Sequence, residues 1–217
     1  MAEVEARRTR AGMSAPSLLL ALHSSTERFG VAVLDPNVGD LPQPAVFDDG
    51  RALSNTLLKR VESVLPAPRW SGLQGLAVAT GPGGFTGTRL TVVMARTLAQ
   101  QLRVPLVGVS SFALMAARLC GRLSDPSDRF WITRELPRRG VVGGAYQLND
   151  GAVEELEPPH LLQLGRSLGP MVLEAHDDVE ADVICLLNRL QTALARGQAC
   201  PWQSVLPIYP TSPVGVV

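Results

Sequence analysis

Five apolar residues in a row, Leu18 to Leu22, stand at the head of the patterned part of the chain. His23 and a polar run to Arg28 close them, and Phe29 to Leu34 resumes the apolar character. The pattern predicts two strands, Leu18–His23 and Phe29–Leu34, with a turn between them. Asp35-Pro36-Asn37 and Gly39 break the second strand, Pro42 and Pro44 follow, and a short third strand is expected over Ala45–Asp48. The period then changes. Between Arg51 and Leu65, Leu53, Leu57, Val61 and Val64 share one helical face, with Leu58 and Leu65 beside it, and Pro66 and Pro68 stop the helix. An apolar run at Leu76–Ala79, a glycine-rich turn, a helical pattern over Thr88–Leu102 and a second apolar run at Pro105–Val109 read as strand, turn, helix, strand. A further helix is expected over Ser111–Arg122, with Ser110 or Ser111 as its N-cap.

The second half is patterned less clearly. Phe130–Thr133 and Val141–Leu148 predict strands, with Gly143-Gly144 a candidate bulge. Val153–Leu156 and Met171–Leu173 predict two more, and His160–Leu168 a short helix. Asp182–Arg196 predicts a helix with Ile184, Leu187, Leu190 and Leu194 on one stripe and Gly197 as its stop. Asp177, Asp178, Glu180 and Asp182 fall in or before its first turn, where the helix dipole favours negative charge. They read as a solvated helix start ahead of a metal site.

The turn at Gly81-Pro82-Gly83-Gly84-Phe85-Thr86-Gly87 is the densest candidate for chemistry. Glycine takes φ > 0 without a Cβ clash, and free N–H groups at a helix N-terminus suit an anion. Neither phosphate fingerprint is met. Gly87 is followed by Thr88 and Arg89, not by the Lys of a Walker A loop, and position 86 is Thr where a dinucleotide loop has Gly. A tight turn packing strand on helix and an anion seat stay open on equal terms.

Twenty basic and twenty acidic side chains balance, which argues against a dedicated nucleic-acid binder. Any service to RNA would then run through a partner. The three cysteines, Cys120, Cys185 and Cys200, form no CxxC and fit free thiols in a reducing cytoplasm. No apolar run reaches the ~18 residues of a membrane span. Residues 1–16 carry charges and no apolar period; they read as a disordered extension, and Met13 is an alternative start to Met1. Residues 17–122 then form an N-terminal lobe of order β-β-β-α-β-α-β-α. Residues 123–217 form a second, degenerate lobe with a return helix over 182–197.

GPGGFTGTR, with the helix after it and VPLVGVSSF beyond, resembles the signature of the TsaB family, the small paralogues of the TsaD threonylcarbamoyltransferase. That pattern is close to GPGSFTGLR, so Gly84 and Thr88 depart from it. LLLALHSSTERFGVAVLD is similar to the family's opening hairpin, and Pro207-Ile208-Tyr209-Pro210-Thr211-Ser212-Pro213 to its ending. The resemblance covers roughly residues 17 to 120 and returns for about ten residues near the end. It implies the α/β actin-like, sugar-kinase-like ATPase fold, in two lobes with mixed sheets of ribonuclease-H type.

The resemblance also implies a function. Members organise TsaD in the complex that makes N6-threonylcarbamoyladenosine (t6A) at position 37 of ANN-decoding tRNAs, with TsaC or Sua supplying threonylcarbamoyl-AMP and the ATPase TsaE completing the set. The expectation is a cytoplasmic, non-catalytic scaffold that meets tRNA indirectly. It pairs with TsaD, or with a second copy of itself, through helices 51–65 and 88–102. ATP or ADP at that partner interface stays open, and within the chain only the loop glycines Gly81, Gly83, Gly84 and Gly87 offer a cofactor seat. The residues predicted to carry the pairing are Leu53, Leu57 and Val61 on the first helix and Thr91, Met94, Ala95, Leu98 and Ala99 on the second. Small residues at spacings of three and four let another helix approach closely; packing of the second helix on its own sheet is the plainer alternative.

Catalysis is expected to be absent. The three histidines, His23, His160 and His176, include no pair four apart, so the His-x-x-x-His metal grip of TsaD is missing. His23 stands where the fold usually keeps an acid for Mg²⁺, and imidazole suits that hard ion poorly. Arg51-Ala52-Leu53-Ser54 has Leu for the family's His, and the stretch Leu136–Gly143 lacks the acids and Tyr of the family's second-half motif. A stand-alone ATP-dependent kinase of the same fold is the rival reading, and a glycopeptidase a third.

Overall fold

Side-chain alternation along the first strand sets the layers of the molecule. The structure, a computed structural model, describes residues 17–38, 41–123, 129–149 and 151–210. The extension at 1–16 with both candidate start sites, Gly39, and the Thr211-Ser212-Pro213 ending lie outside those residues. In β1 (Leu18–His23) every side chain is buried, because both faces of the strand are covered. Leu18, Leu20 and Leu22 point into one core cluster, Leu19 and Ala21 into another.

β2 (Phe29–Leu34) pairs antiparallel with β1, and β3 (Ala45–Phe47) antiparallel with β2. β4 (Leu73–Ala79) and β5 (Leu106–Val109) continue parallel from β1, which gives the order β3-β2-β1-β4-β5. The parallel pairs need crossovers, supplied by helices: α1 (Leu53–Val64) before β4 and α2 (Phe85–Leu102) before β5. Both cover one face of the sheet, where Leu53, Leu57 and Val61 of α1 and Val92, Ala95 and Ala99 of α2 meet the leucines of β1. α3 (Ser111–Leu119) follows β5, and a 3₁₀ turn, Cys120–Arg122, extends it. Its N-cap is Ser110, whose Oγ accepts from the Ala113 N–H at 3.0 Å.

β6 (Phe130–Leu136), β7 (Gly140–Asn149) and β8 (Ala152–Leu161) form an antiparallel meander, and β9 (Val172–Glu174) joins β6 in parallel, giving the order β8-β7-β6-β9. The ladder between β7 and β8 shifts register between Gly143 and Ala145, at the expected bulge. The helix expected over His160–Leu168 does not form: His160 and Leu161 end β8 instead. β8 is an edge strand, so Pro158 and Pro159 remove no ladder donor on its open side.

α4 (Val179–Ala195) starts three residues earlier than its apolar stripe suggested, and Asp178 caps it by accepting the Ala181 N–H at 3.1 Å. It packs against β1, β2 and β4 of the first sheet, although its sequence falls in the second segment. Small residues pave the face it covers: Ala21, Ala32 and Ala77, with Gly30 and Gly75 among them. A Cβ on Gly30 would stand 2.4 Å from Val179 Cγ1, and one on Gly75 would stand 3.0 Å from Leu190 Cδ1. Backbone and helix meet there with no room for a side chain between them.

Candidate functional site

The glycine loop hangs from the end of β4 and leads into α2. Its glycines serve different ends. Gly81 alone among the four sits at positive φ, +93°. Gly83 is required by contact: a Cβ there would stand 1.8 Å from the Ser25 carbonyl oxygen. Gly84 N–H donates to that same oxygen at 3.2 Å, and a Cβ on Gly87 would stand 3.0 Å from Ser24 O. The loop is therefore docked backbone-to-backbone on the β1–β2 turn. Gly84, with φ −57° and nothing nearer than 3.9 Å, has no such need. Close packing explains Gly83 and Gly87; the anion reading survives only at the helix start, where α2 has no side-chain cap and no acid in its first turn.

The residues predicted to meet a partner lie elsewhere than expected. Leu53, Leu57 and Val61 turn inward onto the sheet, as do Thr91, Ala95 and Ala99. The small size of Thr91, Ala95 and Ala99 lets α2 sit close to its own strands, as the plainer alternative for that helix has it, and Leu53, Leu57 and Val61 of α1 are buried in the same cluster. Met94 and Leu98 are half-buried at the edge of that core. The most outward apolar side chains are Leu58 on α1, 54% exposed, and Val93 on α2, 52% exposed; Phe85 is exposed at the start of α2, and Leu90 is half-buried beside Met94. An outward-facing residue one position from a core residue is what helical geometry dictates.

His23 ends β1 in full burial, with neither ring nitrogen hydrogen-bonded. Its Nε2 lies 3.5 Å from Asp182 Oδ2. Asp182 is itself fully buried and accepts at Oδ1 from Arg118 Nε at 2.9 Å. Arg118 Nη2 donates to His176 O at 2.7 Å, which ties α3 to the approach of α4. The acids before α4 thus differ in role: Asp178 caps, and Asp182 is no solvated residue but half of a buried ion pair. Burial pulls the His23 imidazole down from 6.5 to about 4, with Asp177 opposing and Arg118 assisting. Burial pushes the Asp182 carboxyl up to about 6 against the pull of Arg118. His23 is neutral at neutral pH, and no solvent reaches it.

A second polar cluster joins the two sheets. Ser110 Oγ donates to Glu155 Oε2 at 2.5 Å, and the Tyr146 hydroxyl donates to the same oxygen at 3.1 Å. One hydroxyl therefore caps α3 and holds β8. No local pattern signals this cluster, since Ser110 and Glu155 are far apart in the chain. Among the described residues no group of three or more His, Cys, Asp or Glu is arranged to hold a metal ion, and no helix is long and apolar enough to cross a membrane.

Residues 50–127 match the family described as TsaD, tRNA N6-adenosine threonylcarbamoyltransferase. Over 96 residues the chain is 36% identical to the tRNA threonylcarbamoyladenosine biosynthesis protein TsaB of Bacillus subtilis (strain 168), a match spanning 42% of this chain and 38% of that protein. Two solved structures from Pseudomonas aeruginosa are similar over most of the chain. One, described as similar to the peptidase YeaZ, superposes with a TM-score of 0.68 at 23% identity, over 90% of this chain and 100% of its own. The other, YeaZ itself, gives 0.64 at 25% identity, over 89% and 99%. The fold is an α/β fold with two mixed sheets, shared with these two structures over most of the chain.

Proposed function

The chain belongs to the TsaB family, and from that membership we propose that it is a non-catalytic subunit of the cytoplasmic machinery that makes t6A in tRNA. Its work is to hold a TsaD-type transferase through the outer surface of α1 and α2. The observation that carries this is the exposure of Leu58 and Val93 on neighbouring helices, with Leu90, Met94 and Leu98 half-buried around them. Exposed aliphatics grouped on one surface favour association. The neutral charge balance leaves tRNA contact to the partner.

The interface residues are accordingly Leu58, Val93, Leu90, Met94 and Leu98, not the inward Leu53, Leu57, Val61, Thr91, Ala95 and Ala99. The rival kinase reading lacks support at His23, whose ring is sealed in the core. Saturable ATP hydrolysis by the purified chain would restore it.

Val93→Arg combined with Leu58→Asp tests the proposal. Each charge stands in water on the free chain, so circular dichroism should be unchanged. On association an unpaired charge is desolvated, at about 3 kcal/mol or more. That weakens binding to TsaD more than about a hundredfold, as read by pull-down and light scattering. Wild-type association by the folded double variant would place the partner surface elsewhere.

A further inference from the structure

The cleft between the two lobes opens beside the glycine loop, and its lining has a one-sided chemistry. The cavity holds about 400 Å³, within the ~300–1,000 Å³ typical of small-molecule sites. Phe85, Phe112, Val142 and Tyr209 supply apolar wall, and the Phe85 and Tyr209 rings lie 4.9 Å apart at one end. Among the described residues the charged ones in the lining are Arg134 and Arg139, with neither Asp nor Glu.

Arg134 comes from β6, and its guanidinium carbon stands 6.0 Å from the centre of the Phe112 ring. Its Nη2 donates to Asp177 Oδ1 at 2.6 Å. Asp177 thus takes one of the five donors of a guanidinium. Arg139 reaches the cavity from the β6–β7 turn. The eighteen-residue helix α2 begins at the same wall, with Gly84 and Phe85 in the lining and its first N–H groups uncapped by any side chain. Ser25 lines the cavity, is 97% buried by its 3% exposure, and its Oγ has no hydrogen-bond partner. Buried hydroxyls are nearly always paired; this one is left without a partner at the cavity wall.

We propose that this cleft binds a small organic anion, a carboxylate or phosphate carried on an aromatic or aliphatic body, without a metal ion. The anionic group would sit between Arg134, Arg139 and the start of α2, and the apolar body against Phe85, Phe112 and Tyr209. A nucleoside triphosphate with its magnesium ion does not suit the lining. Among the described residues no carboxylate lines the cavity to ligate a hard cation, the nearby Asp177 being engaged by Arg134, and His23 is sealed away from the cleft. The site lies apart from Leu58 and Val93, so it stands or falls separately from the partner surface.

The test is isothermal titration of the full chain at low ionic strength with phenyl phosphate, benzoate and benzyl alcohol. The two anions distinguish a phosphate source from a carboxylate one; the alcohol has the same body without the charge. At least one anion should bind saturably at one site, with the alcohol at least tenfold weaker. Arg139→Gln and Arg134→Gln should each weaken the anion about tenfold, as expected for loss of one charged hydrogen bond. Mg²⁺ should leave the affinity unchanged, and Val93→Arg should not affect it. Equal binding of alcohol and anions, failure of both anions to bind, dependence on Mg²⁺, or wild-type affinity in Arg139→Gln would each overturn the proposal. Should Arg134→Gln lose its fold with the Asp177 bond, the exposed Arg139→Gln and the buried Ser25→Ala, expected to weaken binding severalfold, carry the test.

Discussion

Between pH 4 and 6.5 the buried pair of His23 and Asp182 should nearly cancel its own effect on stability, and single substitutions should uncover two opposite slopes. In the unfolded chain the imidazole holds a proton below 6.5, but in the folded protein it refuses one until about 4. Folding therefore loses stability as pH falls through that window, by about 3 kcal/mol for the full interval. Asp182 runs the other way. Its carboxyl is protonated below about 6 when folded and only below 3.8 when unfolded. Protonation then favours the folded state as pH falls, again by about 3 kcal/mol. At pH 5 each state of the pair binds one proton: on histidine when unfolded, on aspartate when folded. The surrounding charges, Asp177, Asp178, Arg118 and Arg189, and the Cys185 thiol all remain in the single variants. Urea denaturation at half-unit steps from pH 4 to 7 gives the measurement. Relative to wild type, Asp182→Asn should lose about 3 kcal/mol on acidification, and His23→Gln should gain about the same. The double variant should run parallel to wild type. Single variants that both stay parallel to wild type, within about 0.5 kcal/mol, would refute the reasoning.

Neighbouring glycines should respond differently. Gly83→Ala drives a Cβ into the Ser25 carbonyl at 1.8 Å and displaces the Gly84 N–H bond; the expected cost is ~2–4 kcal/mol, or roughly 5–15 °C in melting temperature. In Gly84→Ala the new methyl meets nothing within 3.4 Å, and the weaker N-cap offsets the gain in chain stiffness to within about 0.5 kcal/mol. Equal melting temperatures for the two variants would show that the loop is free to move off Ser25. Ala95→Arg, which points into the core, should abolish the folded state as read by circular dichroism, while Val93→Arg two residues away keeps it. A folded Ala95→Arg would mean that α2 can rotate on its sheet.

Local pattern carried the first lobe. The paired runs of β1 and β2, the 3.6-residue stripe of α1 and the glycine loop before α2 each report their own environment, so their bounds were legible to within a few residues. What failed was information held by distant neighbours. The small residues Thr91, Ala95 and Ala99 mark close approach to something, and nothing local says whether that is a partner or the chain's own strands. Asp182 fits a helix N-terminus by dipole alone; its burial follows from where α4 docks, beside His23 and Arg118. The strand expected over Val153–Leu156 runs on through Pro158-Pro159 to Leu161, because an edge strand tolerates prolines that a central ladder would not. The loop glycines were expected to matter through positive φ, which among Gly81, Gly83, Gly84 and Gly87 only Gly81 adopts. Of the cleft, the loop glycines were legible and the arginines of β6 and its turn were not, because the meander alone brings them to the loop.

The placement of α4 governs the order in which this protein can come into being on the ribosome. Ala21, Ala32 and Ala77 are synthesised early, but the helix that roofs them emerges only after the whole second sheet. Until then the first sheet presents a bare apolar floor. Contacts between β1 and α4 close most of the described chain, carry a large closure entropy and are expected to form late. The first 122 residues on their own should therefore behave as an aggregation-prone intermediate, not as an autonomous domain. The same arrangement makes any nick or insertion between β9 and α4 act at a distance, on a sheet whose own sequence is untouched.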